Sequence, residues 1–300
     1  MQEDLTNNST ENSPIYNQSV LLLDGRSIPQ IGMGTWKIPD QESMDKAIDA
    51  ALEVGYRHFD SAESYENEEM LGIALKKGFE KYGLKREDIW ITSKIAAWRM
   101  DYENAKDSIE TSVKLIDCGY LDLSLIHWPT SICGEAGEIG RLETWKGMVE
   151  MKQKGLVKSL GISNFLTRHI EQMLSQVGDE KPVINQIEIH PLYIDEETIK
   201  TCQHYGIALT AYAPLATFDE KLMKNENVLK LAEKYGKSAN QIALRWGIQR
   251  GFIVIPKASS KEHLLSNISI GDFSLTEEEV QLIDQLNIMF KTDWDPKDEP

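Results

Sequence analysis

IWITSKIAAWRMDYENAKDSIETSVKLIDCGYLDLSLIHW, residues 89–128, reads as one strand, one helix and the next strand. IWITSK (89–94) is a short apolar run closed by Lys94, and LDLSLIHW (121–128) is a second run with His127 near its end. Between them Ala105, Ile109, Val113 and Ile116 repeat at the 3.6-residue period of one helix face, and Gly119 marks the stop. Such a unit belongs to a parallel sheet whose faces are covered by helices.

The same unit recurs in both directions. Upstream, VLLLDGRSIPQIGMG places Asp24-Gly25 between two apolar runs, a hairpin signal. IGMGTW (31–36) is a strand, and Pro39-Asp40 opens a helix with Met44, Ala47, Ile48, Ala51 and Leu52 on one face, ended by Gly55. HFDSA and a helix over 67–82 follow. Downstream, expected strands at 157–165, 183–190, 207–215 and 252–258 alternate with helices at 141–154, 167–177, 195–205, 226–235, 238–250 and 260–267. Eight strand–helix units favour a closed (β/α)8 TIM barrel, of class α/β, over an open sheet. No GxGxxG joins the first strand to a helix, which argues against a dinucleotide-binding open sheet. Thr276 and Glu279 form a capping box for one extra C-terminal helix. The expected organisation is a mobile tail over 1–18, a single barrel domain over 19–288, and a C-terminal tail over 289–300 near the active site.

Composition narrows the function. The 300 residues carry 48 acidic and 32 basic side chains, a formal charge of −16, with 41% hydrophobic and 27% charged residues. That balance argues against nucleic acid or an anionic membrane as the main partner and for a soluble protein, and a small-molecule carbonyl substrate is the expected partner. The three cysteines, Cys118, Cys133 and Cys202, form no CxxC or Cys/His cluster. Reduced thiols in a cytoplasmic, monomeric protein without a metal site are expected. The N-terminus lacks the basic and apolar regions of a signal peptide.

Active sites of such barrels lie at the C-terminal ends of the strands. Asp60, Lys94 and His127 close strands two, three and four, and Tyr65 follows in the loop after Asp60. Each alone would be read as a capping acid, a surface charge or a buried histidine. Three in adjacent units read as a site. A phenol, with a reference pKa of about 10, is a poor proton donor near neutrality. A neighbouring ammonium would have to supply roughly 3–4 kcal/mol to make it a good one. Asp60 would hold Lys94, and His127 would orient a substrate oxygen. Trp36, Trp98 and Trp128 lie near mouth positions and suggest an aromatic substrate rim, with Phe290 or Trp294 folding over it. Met100, Cys133 and the loop 129–140 are expected beside them, and Glu188 and His190 are read as structural.

These residues stand in blocks that resemble the aldo-keto reductase family. GYRHFDSAESYENE (55–68), ITSK (91–94), IHW (126–128), LGISNF (160–165), NQIEIHP (185–191), AYAPL (211–215) and IPKAS (255–259) match the family's signatures in order, from about Val20 to Asn287. The resemblance implies reduction of an aldehyde or ketone to an alcohol by NADP(H), with Asp60, Tyr65, Lys94 and His127 as catalytic residues and Tyr65 as general acid. It further implies that Ser163, Asn164 and Gln186 bind the nicotinamide carboxamide and that Tyr212 stacks on the ring. Thr35 and Leu215 would touch the cofactor, and Lys37 and Asp219 would close over the pyrophosphate. Lys257, Ser259, His263 and Asn267 would serve the adenosine end. There Ala258 replaces the family's usual Ser and His263 its usual Arg, so a weakened preference for NADPH and some use of NAD(H) are expected. Two alternatives remain: a non-catalytic cofactor-binding regulatory member of the same fold, and an unrelated barrel enzyme.

Overall fold

The computed structural model of the protein describes residues 15–130 and 137–298. An antiparallel hairpin of β1 (Ser19–Leu21) and β2 (Ser27–Pro29) precedes eight parallel strands. These are β3 (Met33–Gly34), β4 (His58–Asp60), β5 (Trp90–Ile95), β6 (Leu121–Ile126), β7 (Val157–Ser163), β8 (Ile184–Glu188), β9 (Ala208–Tyr212) and β10 (Ile253–Val254), paired in sequence order. Backbone bonds between the first and last strands close the ring: Gly32 N–H donates to Val254 O at 2.9 Å, and Val254 N–H donates to Gln30 O at 2.9 Å. Gly34 permits this closure, because a Cβ there would lie 3.1 Å from Ile255 O.

Helices α1 (Gln41–Val54), α2 (Glu68–Tyr82), α3 (Tyr102–Ile116), α4 (Gly137–Gln153), α5 (Thr167–Leu174) and α6 (Glu196–Tyr205) cover the strands. They are followed by α7 (Glu220–Met223), α8 (Glu226–Tyr235), α9 (Ala239–Gln249), α10 (Lys261–Ile268) and the extra helix α11 (Glu277–Asp284). Local chemistry sets their ends. Asp40 accepts from Ser43 N–H at 2.8 Å to start α1, and Gly55, with φ of 108°, ends it. The capping box of Thr276 and Glu279 starts α11 as expected.

Three readings shift. The helix expected from residue 141 begins at Gly137. Asp117, not Gly119, takes the left-handed cap of α3, with φ of 50°. The expected tail over 1–18 is packed at its end: Ile15–Asn17 form a helical turn and Ile15 is 1% exposed. Residues 1–14 lie outside the described residues, as does Cys133.

The core has two parts. One fills the space between strands and helices, with Met44, Ile48, Phe59, Ile109, Met148 and Trp246 among its members. The other fills the bottom of the barrel, where hairpin residues Leu22 and Ile28 pack with Trp90, Leu123 and Leu125. Hydrophobic residues thus plug one end. At the other end Asp60, Lys94, Ser163, Asn164 and Gln186, all buried, carry the polar groups. This segregation positions the site.

Candidate active site

Strand register brings the first two residues together. Asp60 pairs with Thr92 across β4 and β5. Lys94 lies two residues further along β5 and so points to the same face. Its Nζ reaches back to Asp60 Oδ1 at 2.5 Å and also donates to Ser61 O at 2.8 Å and Tyr65 Oη at 3.2 Å. Tyr65 ends the helical turn Glu63–Tyr65 just beyond β4, so its ring leans over the barrel mouth. His127 follows β6; its backbone N–H donates to Ile95 O at 3.2 Å, and its ring stands edge-on to Tyr65 with centroids 5.8 Å apart. The structure therefore places Asp60, Tyr65, Lys94 and His127 in one cluster.

Electrostatics set the protonation states. Burial works against the Lys94 ammonium, but Asp60 and Tyr65 outweigh it and raise its pKa. Burial, and then the Lys94 charge, push His127 well below its ordinary value, so its imidazole is neutral. Tyr65 departs from expectation. Its desolvation outweighs the attraction of Lys94, with Asp60 opposing as well, so its pKa rises rather than falls. The resting residue is a firmly protonated phenol.

A cavity of about 760 Å³ opens above this cluster. Tyr65, His127, Trp36 and Trp128 line one end, and Asn164, Gln186, Tyr212, Leu215 and Lys257 continue across β7 to β10. Its volume is that of an ordinary small-ligand site. The polar wall is tightly knit. Gln186 Nε2 donates to Asp60 Oδ2 at 2.7 Å, joining the amide wall to the ion pair. Ser163 Oγ donates to Gln186 O at 2.8 Å, Asn164 Nδ2 donates to His127 O at 3.0 Å, and the Tyr212 hydroxyl donates to Asn164 Oδ1 at 2.9 Å. These bonds fix the Tyr212 ring against the cavity.

Other expected residues fall differently. Thr35 is fully buried and donates to Asp60 O at 3.0 Å, bracing the loop rather than lining the cavity. Lys37 sits 4.0 Å above the Trp36 ring, while Asp219 caps α7 through Lys221 N–H at 2.8 Å; no ion pair joins them among the described residues. Lys257 lines the cavity, whereas Ser259 and His263 are exposed beyond its end and Asn267 is buried. Trp98 is 46% exposed and stands outside the cavity, and Met100 is buried. Trp98 rides on the turn Ala97–Arg99, which carries it past the rim.

Some residues of the site gave little sequence signal. Ser64 Oγ lies 3.3 Å from His127 Nδ1, and only its place beside Tyr65 hinted at this. Thr292 and Asp293 line the cavity, and Trp294 packs on Trp128 with centroids 4.6 Å apart. The sequence suggested that an aromatic of the tail would return, but not what would hold it.

The sequence profile of the Aldo/keto reductase family matches residues 30–288. The chain belongs to the aldo/keto reductase family. This reductase is 35% identical over 280 residues to a 9,11-endoperoxide prostaglandin H2 reductase of Trypanosoma cruzi, covering 92% of this chain and 94% of that one. It is 36% identical over 273 residues to a methylglyoxal reductase of Escherichia coli, covering 89% and 93%. Among solved structures, an aldo-keto reductase from a deep-sea metagenome of the Medee basin superposes with a TM-score of 0.86 at 34% identity, covering 92% and 98%. The Bombyx mori aldo-keto reductase in complex with NADP superposes with a TM-score of 0.85 at 34% identity, covering 91% and 94%. The aldo/keto reductase described here is accordingly an oxidoreductase that uses NADP(H) to reduce an aldehyde or ketone to an alcohol.

Proposed function

We propose that Tyr65 is the general acid of this reductase, with Lys94, Asp60 and His127 as its partners. The observation that carries the proposal is the 3.2 Å contact between the Tyr65 hydroxyl and the Lys94 ammonium at the wall of the cavity. The amide wall suits a nicotinamide. Gln186 Oε1 accepts no hydrogen bond from the described residues, and the residue lines the cavity, so an acceptor is left for a carboxamide N–H. Ser163 and Asn164 lie beside it, and Tyr212 offers a flat face. Bound reduced nicotinamide supplies the hydride.

The protein's own residues manage the proton. Tyr65 is protonated at rest, which suits a donor. As negative charge grows on its oxygen, Lys94 stabilises it without reorganising, because Asp60 and Ser61 O already hold the ammonium in place. His127, neutral, takes a proton from neither neighbour. In the tautomer whose Nδ1 accepts from Ser64 Oγ–H, 3.3 Å away, the ring proton would sit on Nε2 and orient the carbonyl oxygen. Trp36, Trp128 and Trp294 form an apolar rim that suits apolar or aromatic carbonyls and keeps water from the reacting centre. Lys257 and the N-terminus of α10 would bind phosphate at the adenosine end, served also by Ser259, His263 and Asn267, while Lys37 and Asp219 would close over the pyrophosphate and Leu215 would touch the cofactor.

No described helix is long and apolar enough to cross a membrane. We place the enzyme in the cytoplasm as a monomer, a reading supported by its acidic charge and by the free thiols of Cys118 and Cys202.

Tyr65→Phe tests the acid role. It should abolish aldehyde reduction while NADPH still binds by fluorescence titration. Turnover at the wild-type rate would remove Tyr65 from that role.

A further inference from the structure

Tyr65 rides on the turn Glu63–Tyr65 and not on a strand. The rest of its cluster is held by the barrel: Asp60 lies in β4, Lys94 in β5, and His127 directly follows β6. The reach of the phenol to Lys94 therefore depends on what fixes the turn. Its own backbone bonds are local. Tyr65 N–H donates to Ala62 O at 3.0 Å, and Glu66 N–H donates to Glu63 O at 3.2 Å. Both flanks are tied elsewhere. Before the turn, Ser61 N–H donates to Thr92 O at 2.9 Å. After it, Asn67 Nδ2 donates to Thr35 O at 2.9 Å, and Glu68 accepts from Ser93 Oγ at 2.5 Å.

Within the turn, Ser64 meets His127, and the remaining ties run through one side chain, Glu63. Its Oε2 accepts from Ala96 N–H at 3.2 Å and from Ser108 Oγ at 2.8 Å, and its Oε1 faces Arg99 Nε at 3.6 Å. Ala96 lies two residues past Lys94, just beyond β5; Arg99 lies in the next turn, and Ser108 is buried on α3. The Glu63 side chain is 18% exposed, so these contacts form largely out of water. One carboxylate thus bridges the segment that carries the proton donor and the segment that carries its cation. The charges that bear most on Tyr65 are those of Lys94, Asp60 and Asp293, so Glu63 acts through geometry and not through its field. Glu63 does not line the cavity.

We propose that Glu63 is a positioning residue that holds the Tyr65 hydroxyl against Lys94 by tying the Tyr65 turn to the end of β5 and to α3. The proposal rests on the reading of Tyr65 as the general acid, and it adds to that reading a residue outside the cluster.

The test uses benzaldehyde as the carbonyl probe, with NADPH at saturation. Glu63→Ala cuts all three contacts. A displacement of about 1 Å can cost a hundredfold in rate, so kcat should fall roughly 10- to 100-fold. NADPH affinity, read by fluorescence titration, should stay within about twofold, because the amide wall on β7 and β8 is untouched. Glu63→Gln keeps an oxygen for Ala96 N–H and Ser108 Oγ, and should retain kcat within about threefold. Adding Ser108→Ala to Glu63→Ala should cost nothing further, since the two share one contact. If Glu63→Ala does not fold, Ser108→Ala combined with Arg99→Met removes two of the three contacts from the other side and should lower kcat in the same way. An unchanged kcat in whichever of these proteins folds would overturn the proposal. So would a Glu63→Gln variant as slow as Glu63→Ala, or a loss of NADPH affinity as large as the loss of kcat. Full turnover by Tyr65→Phe would instead refute the reading of the donor itself.

Discussion

Replacing Lys94 by Met tests the reading of the site most directly. The ammonium is fully buried, 2.5 Å from Asp60 and 3.2 Å from the Tyr65 hydroxyl. At 3.2 Å and an effective dielectric of about 20, a full charge on the phenolate gains roughly 5 kcal/mol from Lys94. A proton half transferred in the transition state gains about half of that, or roughly a hundredfold in rate. The substitution also leaves Asp60 as a buried carboxylate held by Gln186 Nε2, and that charge opposes ionisation of Tyr65 further. Lys94→Met should therefore lower kcat by about 10²- to 10³-fold. It should also cost about 3–5 kcal/mol of stability, the usual result of breaking one side of a buried pair. The double substitution Lys94→Met with Asp60→Asn removes the stranded charge. It should recover much of the stability and little of the rate. The assay is steady-state aldehyde reduction, with NADPH fluorescence titration and urea unfolding on the same samples. A kcat within threefold of the wild type in a folded, NADPH-binding Lys94→Met protein would refute the argument that Lys94 stabilises charge on Tyr65.

Other outcomes follow from the same geometry. Because His127 is held neutral, the pH profile of kcat/KM for reduction should show no inflection near 6.5; a clear one there would assign His127 a titrating role. His58 is buried and its pKa is lowered from 6.5 to about 4, so folding loses stability as pH falls from about 6.5 towards 4, where the unfolded chain takes up a proton that the native state refuses. Urea midpoints at pH 7 and 4.5 would show this loss, and His58→Phe should reduce it. At the exposed start of α10, His263→Arg adds a permanent cation and should raise the preference for NADPH over NADH by about tenfold, read from KM for both cofactors. A wild-type preference of a thousandfold would overturn the expectation that the pair Ala258 and His263 weakens it.

The sequence by itself determined the barrel and the chemical types at its mouth. Strand–helix alternation is written in local periodicity, and polar residues at strand ends are visible wherever an apolar run stops, as at Asp60, Lys94 and His127. Even there, boundaries moved: the start of α4 and the cap of α3 depend on packing that a window of sequence does not contain. The tertiary structure alone decided how distant groups meet and what state they adopt. The bond from Gln186 to Asp60 spans 126 positions, and that from Thr292 to Glu188 spans 104, so neither has a local signal. Trp98 has the composition of a rim residue but sits on a turn that carries it outside. The sign of the Tyr65 shift was also hidden, since sequence shows the neighbouring cation but not the desolvation that outweighs it. Desolvation belongs to the whole closed barrel, because it is set by every group that excludes water from that ring.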